Sequence, residues 1–375
     1  MSTKFLKYFK NQKKSLLYLF FLFIVFLAFL LTMVFPSGNV IFANGSTTVL
    51  PLLENLGYKY FNDTNETKIG VSGGGSTVGI NFIMNKLTNI GNASRNPEDV
   101  EYKTSTWKNN QLSTFPIAYD GIIFGVNAKG VNISPNDVFT IDVLYKLFSG
   151  KAKTWKDVFP DCNPVPVYLI SRENGSGTRD SFYNAMKAYG HPDMKLPDSK
   201  NLSISNSNGL SLSILSMMKG SIAYLPLSYI NIIKSNYNFI DLPKIKYNTQ
   251  STDVIDPNSK NVSDDIFKNG VLHPNDPNYY LFWHPLNLII SLEDAKKKYL
   301  FDFLNWILGP KGKSIVDDQK YINIYCSDQK CGGHSNEIVI VNKIGDSYLS
   351  FDRYMKTFIE VSDYNKQIQP YWWNN

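Results

Sequence analysis

The sequence predicts an α/β protein of two lobes, preceded by an N-terminal transmembrane helix. Three observations predict it. The chain has 375 residues, of which 43% are hydrophobic and 14% aromatic, enough for one large core or two smaller ones. From Gly45 onward, short apolar runs alternate with amphipathic stretches of helical period. Ahead of them, Leu16 to Phe35 is an uncharged run of 20 residues.

The strand candidates are Lys68 to Val71, Ile122 to Val126, Val165 to Ile170, Ile222 to Leu225 and Leu286 to Ile290. Helices are expected over Pro51 to Phe61, Ser76 to Leu87, Val138 to Phe148, Thr178 to Tyr189, Leu210 to Lys219 and Ala295 to Leu308. Thr249 to Asn278, rich in Asn, Asp, Ser and Pro, reads as an extended surface excursion. Beyond Tyr325 the pattern is irregular, with a β-like run at Glu337 to Val341 and a closing Tyr371-Trp372-Trp373.

At ~1.5 Å per residue the N-terminal run spans about 30 Å, the thickness of the bilayer core. Lys4, Lys7, Lys10, Lys13 and Lys14 precede it, so the positive-inside rule places residues 36 to 375 outside the cytoplasm. The run exceeds the ~7–15 apolar residues of a signal peptide and favours an uncleaved anchor, although Ala43 offers a peptidase a small residue. Those five lysines account for five of the six net positive charges, leaving +1 for the rest. A basic nucleic-acid-binding surface is therefore not expected.

Cys162, Cys326 and Cys331 are the three cysteines. In an oxidising exterior Cys326 and Cys331 suit a short disulfide loop. Free thiols, or a metal site completed by His334, are the alternatives, and that spacing matches no standard zinc pattern. Asn-x-Ser/Thr sequons at Asn44, Asn92 and Asn174 are expected by chance in so asparagine-rich a chain.

Ser171-Arg172-Glu173-Asn174-Gly175-Ser176-Gly177-Thr178-Arg179 follows an apolar run and precedes Phe182, Ala185, Met186 and Tyr189 at helical spacing. It reads as a strand, a glycine-rich turn and a helix start. Gly45-Ser46-Thr47-Thr48-Val49 and Gly73-Gly74-Gly75-Ser76-Thr77 precede helices in the same way. Ser and Thr are ordinary helix N-caps, so one such loop means little. Three of them, one with an arginine, suit an oxyanion: each helix N-terminus presents roughly +0.5 charge, and a guanidinium adds one more. The sum balances a dianion without a metal or another cofactor.

These residues resemble the substrate-binding proteins of phosphate ABC transporters, which have the type II periplasmic-binding-protein fold. The resemblance covers roughly residues 42 to 325 and includes Ile90-Gly91-Asn92-Ala93-Ser94-Arg95, Gly220-Ser221-Ile222-Ala223-Tyr224-Leu225 and His284-Pro285-Leu286. It implies phosphate-binding roles for Thr47, Thr48, Ser76, Arg172, Ser176, Gly177 and Thr178, with Thr77 and Ser94 in the same loops and Ser46 and Arg95 as further candidates. Asn174 stands where many members have an aspartate that braces the arginine. Arg95 stands where well-studied members have an aspartate that accepts the proton of bound phosphate, although other members share Ser-Arg there.

A carboxylate in that role repels an anion with no proton to give, and so favours phosphate over sulfate. Asp120, in Tyr119-Asp120-Gly121 before the strand at Ile122, is expected to supply it, and Asp120→Asn to erode discrimination against sulfate. Arg95 is expected to pair with Asp120, touch the ligand or cap a helix.

Gly70-Val71-Ser72-Gly73-Gly74 also matches G-x-S-x-G, the nucleophile elbow of a serine hydrolase that would use Ser72. Of the four histidines, His191, His273, His284 and His334, the first three have no neighbouring catalytic signature, and the elbow pattern is easily met in a glycine-rich loop, so no enzymatic activity is expected. A surface sensor or adhesin on the same fold is a further alternative. The expected organisation is a basic stub and signal anchor over 1–39, one lobe from 40–122 plus 283–325, a second from 123–282 and an appendage of undisclosed role over 326–375. The expected protein is monomeric, anchored in the cell membrane with its binding domain extracellular, and delivers inorganic phosphate to an ABC permease.

Overall fold

A computed structural model describes residues 39–134, 137–247, 255–256, 258–266, 276–323, 342–344, 347–352 and 357–361. The basic stub, the run Leu16 to Phe35, His273, Cys326, Cys331, His334 and the β-like run at Glu337 to Val341 lie outside the described residues. Among the described residues no helix is long and apolar enough to cross a membrane.

The first part of the chain forms β1 (Asn39–Gly45), α1 (Leu50–Thr64), β2 (Thr67–Gly73), α2 (Ser76–Met84), β3 (Ile90–Ala93), α3 (Asp99–Tyr102), α4 (Ser105–Asn109) and β4 (Leu112–Asn127). The middle contains β5 (Phe139–Thr140), α5 (Ile141–Phe148), β6 (Tyr168–Arg172), α6 (Gly177–Ala188), β7 (Leu202–Ser205), α7 (Asn208–Met217), β8 (Ser221–Pro226), α8 (Ile230–Asn236), β9 (Ile240–Asp241), β10 (Ile245–Lys246) and α9 (Ser259–Ile266). Then follow β11 (Trp283–Ser291), α10 (Leu292–Ala295), α11 (Lys298–Ile307) and α12 (Pro310–Asp318). A separate three-stranded sheet, β12 (Asn342–Ile344), β13 (Ser347–Asp352) and β14 (Thr357–Val361), falls in the C-terminal appendage.

The main sheet has the order β2-β1-β3-β11-β4-β8-β6-β7, with β9 also on β4. Its key strand is β4. Residues Leu112 to Gly121 pair antiparallel with β11, whereas Ile122 to Val126 pair antiparallel with β8. One strand thus runs from the sheet of one lobe into that of the other, giving a mixed α/β, two-lobe architecture. One core gathers Leu52, Leu53, Leu56 and Tyr60 of α1 with Leu286, Leu288, Phe303 and Leu304. The other gathers Phe124, Phe148, Phe182, Tyr224 and Phe282. In it Phe182 stacks on Tyr224 with ring centroids 4.7 Å apart.

Local sequence explains these elements. Helix α1 has a proline in its first turn, where no N–H partner is needed, and stops at Asn65, which adopts the left-handed conformation with φ 54°. The observed β4 starts ten residues before the expected Ile122 because Pro116, Asp120 and Gly121 disguise a strand. Pro116 lies opposite Asn287, at the register shift between Leu286 and Asn287, a position that tolerates a missing donor. The excursion expected over Thr249 to Asn278 is only partly one. Ile255 bridges Ile245, and α9 buries Val262 completely in the second core.

A buried interlobe cluster of hydroxyls around Arg172

The three expected loops follow the C-terminal ends of parallel strands, where α/β sheets place ligands. Strands β1, β2 and β3 run parallel in one lobe, and β8, β6 and β7 in the other. The loop after β1 carries Ser46, Thr47 and Thr48, the loop after β2 Ser76 and Thr77, and the loop after β3 Ser94 and Arg95. Across from them β6 delivers Arg172 and the turn to Ser176, Gly177 and Thr178.

Close backbone approach makes this packing possible. A Cβ at Gly45, whose φ is +145°, would collide with the Asn92 carbonyl oxygen. With glycine there, Ser46 N–H reaches that same carbonyl at 3.1 Å. Ser46 Oγ then donates to Ser94 Oγ at 2.9 Å, and Ser94 N–H donates to Ser76 Oγ at 2.9 Å. These three hydroxyls form one buried set within the first lobe.

The second lobe closes onto it. Thr48 Oγ1 and Thr178 Oγ1 are 3.0 Å apart, and Arg172 Nη2 donates to Thr47 Oγ1 at 3.2 Å. Thr77 N–H donates to the Gly175 carbonyl at 3.2 Å, and Gly177 packs against Ser94. Ser176 is buried beside them, its Oγ accepting from Arg179 N–H at 3.4 Å as the cap of α6. Ser46, Thr47, Thr48, Ser76, Thr77, Ser94, Arg172, Ser176, Gly177 and Thr178 therefore all lie along this interlobe seam.

Two participants escaped the sequence reading. Asn208, the first residue of α7, is fully buried, donates from Nδ2 to Thr48 Oγ1 at 2.8 Å and accepts from Arg172 Nη1. The signal was Ser207-Asn208-Gly209, a fourth polar helix start; Ser207 caps the helix by accepting from Leu210 N–H at 3.1 Å. Four helix N-termini thus contribute about +2 of partial charge in place of the three foreseen. The second is Glu173, whose two carboxylate oxygens accept from Arg172 Nε and Nη2, both at 3.0 Å. It supplies the brace that Asn174 does not; Asn174 instead accepts from Arg179.

Arg95 does not pair with Asp120. Its guanidinium engages the Glu101 carboxylate with two bonds of 2.7 Å, Thr77 Oγ1 at 3.0 Å and, across the lobes, Asp180 at 3.2 Å. Asp120 is equally distinct from the hydroxyl set. It is fully buried where β4 changes lobes and accepts from Ser228 Oγ at 3.1 Å. Burial pushes its carboxyl well above the ordinary range, against hydrogen bonds from Ser228 and from the Leu227 and Gly121 peptides. Its hydrogen bonds lie in the hinge segment, where β4 changes partner. Tyr321 joins that hinge to the first loop by donating to the Thr48 carbonyl at 3.3 Å.

His284 faces Asp120 across the β4–β11 pair and is fully buried. Burial and the positive charge of Arg172 lower its pKa to about 3, so it is neutral in the native state. The unfolded chain binds this proton from the ordinary histidine value of 6.5 downward, so stability falls as the pH drops from 6.5 toward 3. Urea unfolding of His284→Gln should show the acid limb reduced by roughly 3 kcal/mol between pH ~7 and ~4. Asp120 acts in the opposite sense: the stability it supports is complete below the ordinary carboxylate value of 3.8 and is lost as pH rises through its raised native value.

Among the described residues, no histidine is hydrogen-bonded to Ser72 of the elbow motif. Ser72 lies exposed on β2, where its hydroxyl accepts from Asn44. Among the described histidines, His191 pairs with Asp142 at 3.2 Å and His284 is the buried hinge residue.

A family model for the PBP superfamily domain matches residues 36–311, most of the chain. The chain belongs to the PBP superfamily. Within that superfamily it is similar to a phosphate-binding protein PstS of Staphylococcus saprophyticus, 28% identical over 280 residues that cover 73% of this chain and 77% of the relative. A PstS of Staphylococcus aureus is 26% identical over 280 residues, covering 73% of this chain and 75% of that protein. Among solved structures, a putative phosphate ABC transporter substrate-binding protein with bound phosphate from Clostridium perfringens superposes with a TM-score of 0.59 at 23% identity. The match covers 76% of this chain and 100% of that one. An ABC-type phosphate transport receptor from Vibrio cholerae gives a TM-score of 0.52 at 22% identity, covering 75% and 99% of the two chains. These superpositions support the two-lobe PBP fold.

Proposed function

We propose that this chain is an extracytoplasmic substrate-binding protein that captures inorganic phosphate between its lobes and delivers it to an ABC permease. The observation that carries this reading is the meeting of Arg172, Thr178 and Asn208 from one lobe with Thr47 and Thr48 from the other. Phosphate has four oxygens to satisfy, and the seam offers hydroxyls, a guanidinium and four helix N-termini. Because both lobes contribute donors, the anion stabilises the state in which the lobes meet. The PstS relatives and the phosphate-binding structural neighbours support the same ligand class.

In this reading the ligand shell is drawn from Ser46, Thr47, Thr48, Ser76, Thr77, Ser94, Arg172, Ser176, Gly177 and Thr178, joined by Asn208. The lobes divide where β4 changes partner, giving 40–122 with 283–325 and 123–282. Arg95 and Asp180 tie the closed form together from outside the shell. The five lysines and the uncharged run from Leu16 to Phe35 support a membrane anchor with the lobes outside the cytoplasm. A tethered monomer would stay near its permease.

Calorimetric titration of the full chain with phosphate, arsenate, sulfate and molybdate tests the reading. Saturable binding of one phosphate per chain, with sulfate and molybdate at least about a hundredfold weaker, is the expected result. Tighter binding of molybdate or sulfate would replace it with another oxyanion receptor.

A further inference from the structure

Arg95 is 7% exposed, and every hydrogen of its guanidinium is accounted for within the protein. Nη1 donates to the Glu101 carboxylate at 2.7 Å and to the Asn96 carbonyl at 2.9 Å. Nη2 donates to Glu101 at 2.7 Å and to Thr77 Oγ1 at 3.0 Å. Those acceptors all belong to the first lobe, and Asn287 of the same lobe holds the Arg95 carbonyl at 3.0 Å. The fifth hydrogen, on Nε, belongs to the nitrogen 3.2 Å from the Asp180 carboxylate of the second lobe. None is left for an anion. Resting on the phosphate-binding reading, we propose that Arg95 is a positioning residue that governs how long phosphate stays bound, by joining carboxylates of the two lobes as they meet.

The acids around it explain why a cation is needed there. Glu98 and Glu101 belong to the first lobe, and Glu98 N–H donates to the Glu101 carboxylate at 2.7 Å. Asp180 lies in the first turn of α6, in the second lobe, so closure carries a third carboxylate toward them. Burial raises the Asp180 carboxyl above its ordinary range; Arg95 and Arg179 oppose that shift, while Glu98 and Glu101 add to it. Among the described residues no other cation ion-pairs with Glu101 or Asp180. Arg95 therefore turns like-charge repulsion across the seam into attraction.

The pair bears on the ligand shell without entering it. Thr77, which takes an Arg95 hydrogen, is on one side, and Asp180 shares the first turn of α6 with Gly177 and Thr178 on the other. Because the guanidinium is held within the first lobe by four hydrogen bonds, what closure adds is the contact with Asp180. That contact stabilises the closed state and slows its opening, and it leaves the encounter of phosphate with the open lobes nearly unchanged.

The test is the binding kinetics of labelled inorganic phosphate with four full-length chains: wild type, Asp180→Asn, Arg95→Gln and the double variant Arg95→Gln/Asp180→Asn. Asp180→Asn is expected to release phosphate about threefold faster, since it removes an attraction from a partly exposed pair. Arg95→Gln is expected to release it at least about thirtyfold faster, because the carboxylates of both lobes are left facing one another. Association is expected to stay within about threefold of wild type in each. In the double variant Asp180→Asn reverses its sign and slows release at least about threefold relative to Arg95→Gln alone, a rescue that a merely structural arginine does not allow. Slower release in Asp180→Asn than in wild type would show a carboxylate that only opposes the anion, and overturns the proposal; so does release unchanged in Asp180→Asn, even where Arg95→Gln does not fold. Absence of rescue in a folded double variant overturns it as well. A wild-type chain that binds no phosphate defeats the functional reading on which the bridge rests, whereas phosphate binding with release unaltered across the variants defeats the bridge alone.

Discussion

Arg172→Ala is expected to weaken phosphate binding by at least about a hundredfold at fixed pH and salt. The side chain is almost completely buried and holds Thr47, Glu173, Asn208 and the Ser205 carbonyl in one network. Truncation removes a charge-assisted hydrogen bond to the anion, of roughly 1.5–3 kcal/mol. It also leaves the Glu173 carboxylate uncompensated beside the ligand, which adds repulsion to the lost attraction. Arg172→Lys should rescue only part of the loss, because an ammonium keeps the charge but cannot hold Glu173 with two parallel bonds. Equilibrium binding of labelled phosphate to the three chains measures this; unchanged affinity in Arg172→Ala would remove the arginine from the site.

Gly177→Ala is expected to cost at least about thirtyfold in phosphate affinity through a different cause. A Cβ at Gly177 would lie 2.5 Å from the Ser94 carbonyl oxygen and against its hydroxyl. Ser94 belongs to the other lobe, so the clash exists only when the lobes meet. The variant therefore penalises the ligand-competent state and leaves each lobe intact, and apparent affinity falls with the population of that state. Thermal stability of the ligand-free chain should shift by no more than a surface substitution does, about 0.5 kcal/mol. Gly209→Ala is the control, since a Cβ at Gly209 meets nothing within 4 Å. Equal affinity in Gly177→Ala and wild type would mean that binding does not require this closure.

Much of the seam was legible because its chemistry is local. A glycine-hydroxyl turn between an apolar run and a helical period marks a helix N-terminus whose N–H groups need partners. That signal located the loops at Thr47, Ser76 and Ser176. Asn208 carries a similar signal but was hidden: its helix was expected to begin at Leu210, so it read as part of a connecting turn. Glu173 stood in view beside Arg172, yet adjacency in sequence does not say that a side chain folds back onto its neighbour. The partners of Arg95 were beyond reach, because Glu101 and Asp180 meet it only through tertiary packing. The surroundings of Asp120 were beyond reach for a related reason. A sequence shows that a residue is acidic, and only its burial beside Ser228 shows that its carboxyl is pushed above the ordinary range.

The fold divides in the same way. Helices with a clear apolar stripe, such as α1 and α6, were found within a few residues of their ends. Strand β4 was found only over its last third, because proline and glycine are permitted where it is bulged or changes partner. That hidden part is the hinge. It joins the two lobes and sets Asp120 opposite His284.

The central claim is that one oxyanion is held between Arg172, Thr48 and Thr178. Arsenate, isosteric with phosphate and a strong anomalous scatterer, locates it directly in crystals of the full chain. The account predicts a single anomalous peak in the interlobe seam, within hydrogen-bond reach of Arg172 and of the hydroxyls of Thr48 and Thr178. A peak elsewhere, or none at saturating arsenate, would contradict it.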